Sequence, residues 1–436
     1  MTEHDNTILP AGSSLPDWLT WLETLSPKEI DLGLERVQTV LERLDLALPG
    51  HVLLIAGTNG KGSSVALLQA LLIASGYRVG TYTSPHVIRY NERIAVDGLT
   101  ASDTEIVRAF ERVEAVRQDI PLTYFEFGTL AALVVFASSD LDVWVLEVGM
   151  GGRLDASNAI DPTASLITNV SLDHCDWLGN DIEAIAVEKA GVMRAAVATV
   201  FGSRDVPRSL QRQAERTGAE LLLVGRDFDY ARDSDSSWSW RGRETSRTAL
   251  PLPGLRGDFQ VENAAAVLAL IEAAGLDQAL DAAILDRELP KVTLTGRMQS
   301  IRAGGADWLL DVAHNVAASE VLADTLDRSR VEGATWAIIG LLDDKDVEGI
   351  AAALDGQIDH WIAVTADSAR ALQSDELARR VANACGRPCR IAESLEEAMQ
   401  YAQRSASEND RILLTGSFYL VGPALSNLEL YSRPQT

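Results

Sequence analysis

The chain has 436 residues, of which 47% are hydrophobic and 23% are charged, and its formal net charge is −25. This composition is typical of a globular protein with two or three domains, because a single hydrophobic core rarely organises more than about 300 residues. The acidic balance argues against nonspecific binding to nucleic acid or to a membrane surface, since both require a basic surface.

No apolar run approaches the roughly 20 residues of a membrane span. The polar start MTEHDNTILP lacks the basic and apolar regions of a signal peptide. We therefore expect a cytoplasmic protein without membrane association. The three cysteines, Cys175, Cys385 and Cys389, are too few for a disulfide framework and are expected to be structural.

The first half of the chain alternates between helical and strand patterns. Apolar residues recur at helical spacing over 17–25 and 33–44, which predicts two amphipathic helices. The apolar run at 51–57 predicts a strand, and 63–76 predicts the helix that follows it. Further buried strands are predicted at 78–84, 142–149, 164–171 and 196–202. This alternation indicates a mostly parallel sheet flanked by helices, whose ligands bind at the carboxyl ends of the strands.

The pattern changes after residue 226. Polar residues and alternating Trp at 227–249 predict a small antiparallel excursion, which we interpret as a surface hairpin. A helix is predicted at 263–275, and the Pro- and Gly-containing stretch 289–297 precedes new strands. The runs DWLLDVA, TWAIIGL, HWIAVTA and RILLTGS are typical of buried strands. We therefore predict a domain boundary near residue 296 and a second α/β domain after it.

A glycine-rich loop, GTNGKGS, joins the first predicted strand to its helix at 57–63. Glycines let backbone N–H groups approach phosphates, the helix N-terminus favours anions, and Lys61 can reach the terminal phosphates. The loop departs from G-x-x-x-x-G-K-[ST], because Ile55 replaces the first glycine and Gly62 separates Lys61 from Ser63. A simple glycine-rich turn is the alternative, but the placed lysine favours a phosphate loop. The predicted ATP contacts in it are Thr58, Asn59, Gly60, Lys61, Gly62 and Ser63.

Three further polar residues follow predicted strands, namely Ser84, Glu147 and His174. Oxygen ligands suit Mg²⁺, which keeps several waters while it bridges phosphates. A histidine is unusual in such a set, and taken alone His174 is more often a hydrogen-bonded structural residue. The run GMGGRLD at 149–155 is not a dinucleotide fingerprint, because Leu154 stands where that motif needs Gly or Ala.

The loop GTNGKGS resembles that of the Mur-ligase superfamily, whose members form amide bonds with ATP. The segments TSPHVIRYNERI, TYFEFGTLAAL, LEVGMGGRLDASN and LDHCDWLGNDIEAIAVEKAGVMR resemble, in order and spacing, those of the folylpolyglutamate synthase family. This resemblance extends through most of residues 17–425. It implies an α/β fold, with a P-loop-containing, mostly parallel sheet domain for ATP and pterin at 1–296. A smaller Rossmann-like glutamate-ligase domain is implied at 297–436.

The resemblance also implies a metal site and a modified residue. The family's Mg²⁺ ligands match Ser84, Glu147 and His174, and a lysine that the family carbamylates matches Lys189. Without the resemblance, an unmodified solvated lysine is the ordinary expectation. A neutral lysine amine can take up CO₂, and the carbamate that forms is negatively charged.

Substrate contacts follow from the same resemblance. Further ATP contacts are implied at Asn263, Arg297, Asp311 and His314. Pterin contacts are implied at Asp31, Leu32, Gly33, Leu34, Thr123, Tyr124, Phe125, Glu126, Leu154, Asp155 and Ala156. Phe125 offers a stacking face, although an aromatic residue in an apolar stretch more often belongs to the core. The glutamate site is expected to include Lys345 and Ser417, while Val316, Asp343 and Tyr419 replace residues common in the family.

The implied activity is ATP-dependent ligation of L-glutamate to 7,8-dihydropteroate, and of further glutamates to reduced folates, through an acyl phosphate. We expect a monomer that uses Mg²⁺. A cell-wall Mur ligase is one alternative, but those enzymes carry a nucleotide-sugar domain ahead of the loop, and 56 residues precede Gly57 here. A nucleotide-dependent switch or binding protein is another. It lacks support because no N-K-x-D motif occurs and the second domain would be unexplained.

Overall fold

The computed structural model describes residues 12–26, 31–303 and 305–428. The N-terminal sequence that we considered for a signal peptide lies outside these residues, as do the outer ends of both predicted domains. Among the described residues, none of the helices combines the length and the apolar character that a bilayer span requires.

The first sheet has eight strands in the order β4-β3-β2-β5-β1-β6-β7-β8. These strands are β1 (His51–Ala56), β2 (Val79–Tyr82), β3 (Ile94–Val96), β4 (Leu99–Thr100), β5 (Val143–Glu147), β6 (Ala164–Ile167), β7 (Ala198–Phe201) and β8 (Glu220–Leu223). All neighbours are parallel except β2–β3 and β3–β4. The five strands predicted from apolar runs are confirmed. The antiparallel strands β3 and β4, at one end of the sheet, are too short to show a periodic pattern.

Helices cover both faces of this sheet and bury their apolar sides against it. They are α1 (Leu15–Leu25), α2 (Glu35–Leu44), α3 (Lys61–Ala74), α4 (Asp103–Arg117), α5 (Tyr124–Ala137), α6 (Cys175–Leu178), α7 (Ile182–Ala190), α8 (Arg208–Thr217), α9 (Phe259–Ala273) and α10 (Ala282–Glu288). The side chains of α1, α2, α4 and α5 form one apolar core, whereas α3 and α9 contribute to the other. The two predicted N-terminal helices are therefore confirmed.

The antiparallel excursion is a three-stranded sheet of β9 (Asp229–Arg232), β10 (Ser237–Arg241) and β11 (Ser246–Pro251). Our interpretation as a surface hairpin is wrong. Trp238 and Trp240 are only 0% and 2% exposed and belong to the core that includes α9. Their indole N–H groups donate to the carbonyl oxygens of Pro251 (2.9 Å) and Ala265 (3.1 Å). Strand alternation places both indoles on one face, so the sheet packs onto the domain.

The second sheet has six strands in the order β12-β13-β17-β14-β15-β16, and only the β12–β13 pair is antiparallel. Its strands are β12 (Gln299–Ala303), β13 (Ala306–Asp311), β14 (Thr335–Ile339), β15 (His360–Ala363), β16 (Cys389–Ile391) and β17 (Arg411–Thr415). Its helices are α11 (Val316–Arg328), α12 (Val347–Leu354), α13 (Ser374–Cys385), α14 (Leu395–Ser405) and α15 (Phe418–Asn427). Apolar cores cover both faces. The predicted α/β fold is thus present twice, and the boundary at residue 296 stays a prediction.

Candidate active site

The glycine-rich loop connects β1 to α3 at the carboxyl edge of the first sheet. Gly57 (φ 142°) and Gly60 (φ 86°) have backbone conformations that other residues rarely adopt. A Cβ atom at Gly57 would overlap the hydroxyl of Thr168, and one at Gly60 would collide with the amide of Asn263. These two positions therefore require glycine, and the loop lies directly against Asn263, one of the expected ATP contacts.

Lys61 begins α3, and its side chain folds back over the loop. Its Nζ donates to the carbonyl oxygens of Gly57 and Thr58, both at 3.1 Å. Behind the loop, the Ser63 hydroxyl accepts from Gln260 (3.2 Å), which links α3 to α9. The loop is thus held in shape by its own backbone and by α9, while the lysine is bound only to carbonyl oxygens that a phosphate can replace.

Two of the expected metal ligands, Ser84 and Glu147, lie at or just beyond the ends of the neighbouring strands β2 and β5. The backbone N–H of Ser84 donates to the Glu147 carboxylate at 3.2 Å. Burial raises the pKa of Glu147, and the positive charges of Lys61 and Arg297 oppose this shift. Two residues at strand ends that are distant in sequence, Ser84 and Glu147, are therefore adjacent in the fold.

His174 precedes α6 in a left-handed conformation (φ 51°). Burial lowers its pKa to about 4, so the imidazole is neutral at physiological pH. Among the described residues, no group of three His, Cys, Asp or Glu side chains could hold an ion by itself. A hard cation held by few protein groups would take its remaining ligands from water and phosphate.

Lys189 lies near the end of α7 and is only 3% exposed. Within the described part of the chain, no carboxylate forms an ion pair with it. Burial and the positive charge of Lys61 together lower the pKa of its amine to about 7, against the smaller opposing effects of Asp173 and Asp155. The ordinary expectation of a solvated lysine is therefore wrong, and a large fraction of the amine is neutral at pH 7.

The expected pterin segments meet at the N-terminus of α5. Asp31 pairs with Arg36 at 2.7 Å, and the same guanidinium pairs with Glu126 at 2.9 Å. The Glu126 carboxylate also accepts from the backbone N–H of Thr123 (2.8 Å) in a capping box. Residues 31–34 and 123–126 are thus brought together. Leu32, Gly33, Leu34 and Tyr124 are half-buried in this arrangement.

Phe125 and Asp155 form the other half of the expected pterin site. The Phe125 ring lies 6.1 Å from the ring of Tyr82 and packs closely against Gly149, where a Cβ atom would meet it at 2.7 Å. The Asp155 carboxylate accepts from the backbone N–H groups of Met150 and Ser157, both at 2.9 Å. Burial raises the pKa of Asp155 to about 6. Its neighbours Leu154 and Ala156 are half-buried and buried, respectively.

Arg297 and Asp311 bring the start of the second sheet to this edge. The Arg297 guanidinium lies 5.0 Å from the centre of the Phe418 ring. Burial lowers the pKa of Arg297, and the charges of Asp311 and Glu147 oppose that shift. The Asp311 carboxylate accepts from the backbone N–H groups of Met298 (2.9 Å) and Ala313 (2.8 Å).

Asp173, which we did not predict, joins the two halves of the chain. Its carboxylate accepts from the Lys345 amine (2.8 Å) and the Asn315 amide (3.0 Å), and it lies 3.5 Å from His314 Nε2. Asn315 also exchanges hydrogen bonds with Asn59 of the phosphate loop (3.1 and 3.3 Å). We call these five residues the Asp173 network. The only feature of the sequence that pointed to Asp173 itself was its position beside His174.

The two expected glutamate-site residues lie in different surroundings. Lys345 is buried in the Asp173 network and also contacts Asp344 at 3.3 Å. Ser417 is the N-cap of α15, where its hydroxyl accepts from the backbone N–H of Tyr419 (3.1 Å). No hydrogen bond joins these two described residues to each other, so the structure does not bring them together directly.

Comparisons with known proteins identify the family. The Mur ligase middle domain model matches residues 55–271, and the model of the Mur ligase glutamate ligase domain matches residues 296–418. The dihydrofolate synthase/folylpolyglutamate synthase of Escherichia coli (strain K12) is 37% identical over 420 residues, which cover 96% of each chain. The chain belongs to the dihydrofolate synthase/folylpolyglutamate synthase family. The resemblance found in the sequence is confirmed.

Solved structures of family members extend this result to the fold. The Escherichia coli FolC structure in complex with DHPP and ADP matches with a TM-score of 0.89 at 36% identity, over 97% of this chain and 99% of that chain. A bifunctional folylpolyglutamate synthase/dihydrofolate synthase with Mn, AMPPNP and L-glutamate bound matches with a TM-score of 0.88 at 38% identity, over 97% and 100%. The chain is thus an ATP-dependent ligase of the dihydrofolate synthase/folylpolyglutamate synthase family, with the predicted two-part α/β fold.

Proposed function

We propose that this ligase joins L-glutamate to 7,8-dihydropteroate and adds further glutamates to reduced folates. The observation that carries the proposal is the meeting of three features at one sheet edge. A Cβ atom at Gly62 of the loop would lie 3.9 Å from the carboxylate of the Ser84–Glu147 pair, the charge of Lys61 acts on the buried Lys189, and Asn59 of the loop contacts the second half through Asn315. Family membership supplies the substrate class, because the relatives are named for these two reactions.

ATP is placed across the phosphate loop and the second sheet. Residues 58–63 and Asn263 would hold the phosphates, and Lys61 would exchange its loop carbonyl oxygens for oxygens of the terminal phosphate. Arg297 would neutralise charge that develops on the phosphoryl group. Asp311 is suited to the ribose hydroxyls, and His314 to the phosphate side. Ser84, Glu147 and His174 would hold Mg²⁺, which would supply charge neutralisation for the phosphate oxygens.

The chemistry begins when a carboxylate oxygen of the pteroate or folate attacks the γ-phosphorus of ATP, so that ADP leaves and an acyl phosphate forms. The glutamate amine then attacks the acyl carbon, loses a proton and displaces inorganic phosphate. The described site residues act by positioning and by charge, because neither step needs a protein nucleophile. The expected glutamate contacts are Lys345 and Ser417.

Lys189 is proposed to carry a carbamate. Its buried, largely neutral amine can attack CO₂ and lose a proton, so that an uncharged amine becomes a negatively charged carbamate. A carbamate at this position would interact favourably with the positive charge of Lys61, whereas a protonated amine is repelled by it.

The pterin is proposed to lie beside Phe125, which would stack on it, and near Asp31 and Asp155, whose carboxylates would accept its N–H groups. Each Asp155 oxygen already accepts one backbone hydrogen bond and has capacity for a second. We further propose a monomeric cytoplasmic enzyme.

An assay of ADP release tests the proposal. With ATP, Mg²⁺ and L-glutamate, either dihydropteroate or a tetrahydrofolate should start ADP production, and mass spectrometry should show products longer by whole glutamyl units. Omission of glutamate should reduce turnover strongly. If ADP release does not depend on dihydropteroate or on a reduced folate, the proposed function is wrong.

A further inference from the structure

A buried arginine lies beside the proposed site without a role in it. Arg93 is 8% exposed, and its Nε donates to Nδ1 of His86 at 2.9 Å. Its guanidinium carbon lies 5.3 Å from the centre of the Tyr90 ring and 5.6 Å from that of Tyr124. The Tyr82 hydroxyl is also close enough to interact with its charge. We call these five residues the Arg93 pocket.

The charge of Arg93 has no counter-ion in the described chain, because no described carboxylate forms an ion pair with it. Arg117 is buried to a similar degree but pairs with Glu114. Tyr124, one of the rings beside Arg93, is uncharged at neutral pH, since burial raises its pKa to about 12. Stacking on aromatic rings offsets only part of the cost of burying a charge.

The unused donors of Arg93 can reach a ligand. Each side-chain nitrogen of Arg93 either has a hydrogen-bond partner or is accessible to solvent. Its N–H groups form a planar fork that matches a carboxylate, and the uncharged aromatic walls would strengthen such a contact. The pocket therefore suits a small anion with a planar, two-oxygen head.

The pocket lies between the proposed pterin and glutamate residues. The backbone carbonyl of Arg93 accepts from Thr83 N–H (2.9 Å), next to Ser84, and the Tyr82 ring is 6.1 Å from Phe125. On the other side, Arg93 interacts electrostatically with Tyr419, two residues after Ser417. The helix α15 packs against the same segment, because a Cβ atom at Gly422 would overlap the carbonyl of Val87.

We propose that Arg93 binds a carboxylate of a glutamate unit and so determines specificity for glutamate. This inference rests on the proposed function, which brings such carboxylates to this place. The carboxylate can belong to the incoming L-glutamate or to the glutamyl tail of a folate substrate. The two reactions separate these sources, since dihydropteroate has no tail.

Kinetics of Arg93→Met and Arg93→Lys test the proposal, with Arg89→Met as control. Arg89 lies four residues away and is 39% exposed in its side chain. If the incoming amino acid is bound, Arg93→Met should raise KM for L-glutamate about 10- to 100-fold in both reactions, as expected for loss of a charge-assisted contact. If the tail is bound, only KM for the tetrahydrofolate should rise. Arg93→Lys should lie between wild type and Arg93→Met.

Two controls keep the result interpretable. A cooperative thermal unfolding transition should show that each variant is folded, and binding of an ATP analogue should be unchanged. If Arg93→Met does not fold, Arg93→Lys decides. KM values within about twofold of wild type for both substrates would overturn the proposal. If wild type shows no glutamate-dependent ADP release, the proposed function fails separately. Calorimetric titration of wild type and Arg93→Lys with L-glutamate and with a tetrahydrofolate then tests Arg93, and equal affinities of the two proteins for both ligands would overturn the inference.

Discussion

The phosphate loop and the Asp173 network both surround the proposed nucleotide site, but they are built in different ways. The loop is seven consecutive residues whose shape follows from left-handed glycines and from backbone hydrogen bonds. In the Asp173 network, the carboxylate binds residues that are 142 and 172 positions away in sequence. A local motif can therefore identify the loop, whereas the network exists only after the two sheets have packed together.

Two buried lysines, Lys345 and Lys189, differ in whether a carboxylate pairs with them. Lys345, at 8% exposure, has the carboxylates of Asp173 and Asp344 as partners. Lys189, at 3% exposure, has no acidic partner among the described residues, and burial lowers the pKa of its amine to about 7. Burial thus leaves Lys345 paired with two carboxylates, whereas it lowers the pKa of the Lys189 amine.

The largest effect is expected from a substitution in the phosphate loop. Lys61→Ala should lower kcat by about 10³-fold or more, because charge neutralisation on the phosphates is lost. Stability should change by only about 0.5 kcal/mol, since Lys61 contacts its own loop carbonyls and not the core. ADP release and thermal unfolding check both points. Lys291→Ala, with a side chain 60% exposed, is the matched control. Undiminished ADP release by Lys61→Ala would refute its role.

The next largest effect is expected from a substitution in the Asp173 network, and it should appear in stability as well as in activity. Asp173→Asn leaves the buried Lys345 with a weaker partner and should destabilise the fold by roughly 3 kcal/mol. Because interactions with His314, His174 and Lys345 outweigh burial and hold the pKa of Asp173 below its usual value of 3.8, its contribution is present above pH 3.8 and is lost as the pH falls further. Denaturant unfolding at pH 7 and in acid checks this. A double-mutant cycle with Lys345→Met that shows no coupling would contradict the pairing.

Lys189→Met should lower kcat by about 10²-fold if a carbamate at this position orders the site. Wild type in ¹³C-bicarbonate should give a carbamate signal by ¹³C NMR, and Lys189→Met should not. A wild-type spectrum without that signal would contradict the modification.

The same variant tests the electrostatics of Lys189. Burial lowers its pKa from 10.5 to about 7, so the unfolded chain binds more protons between these values and stability should rise with pH there. In CO₂-free buffer, Lys189→Met should therefore raise the unfolding temperature more at pH 7 than at pH 10. An equal increase at both pH values would show that the amine is not perturbed.

The smallest effect is expected for the hydrogen bonds between Asn59 of the phosphate loop and Asn315 of the Asp173 network. Asn59→Ala and Asn315→Ala should each cost about 1 kcal/mol, and their coupling in a double-mutant cycle should be about 0.5–1 kcal/mol. Asn315 also caps α11 by accepting from Ala318 N–H (2.9 Å), so its single effect should be the larger one. Denaturant unfolding of the four proteins measures the coupling. A coupling near zero would mean that the loop and the network act independently.

Several features could be predicted because they repeat locally. The central strands are continuous apolar runs, and the loop glycines, Lys61 and the helix after them form one segment with a recognisable pattern. The Trp alternation at 238–240 also predicted strands, but not that both indoles would enter the core. Short strands such as β3 and β4 have too few residues for any pattern to show.

The amino-acid sequence by itself determined the α/β class, the phosphate loop and the family, because these depend on periodicity, on glycine backbone conformations and on residues close together along the chain. Only the tertiary structure decided that Lys189 is buried, that Asp173 joins Lys345, and that Arg93 lies buried without a counter-ion among the described residues. The physical reason is that desolvation and charge pairing depend on which distant segments pack around a side chain, and spacing in the sequence does not specify that packing.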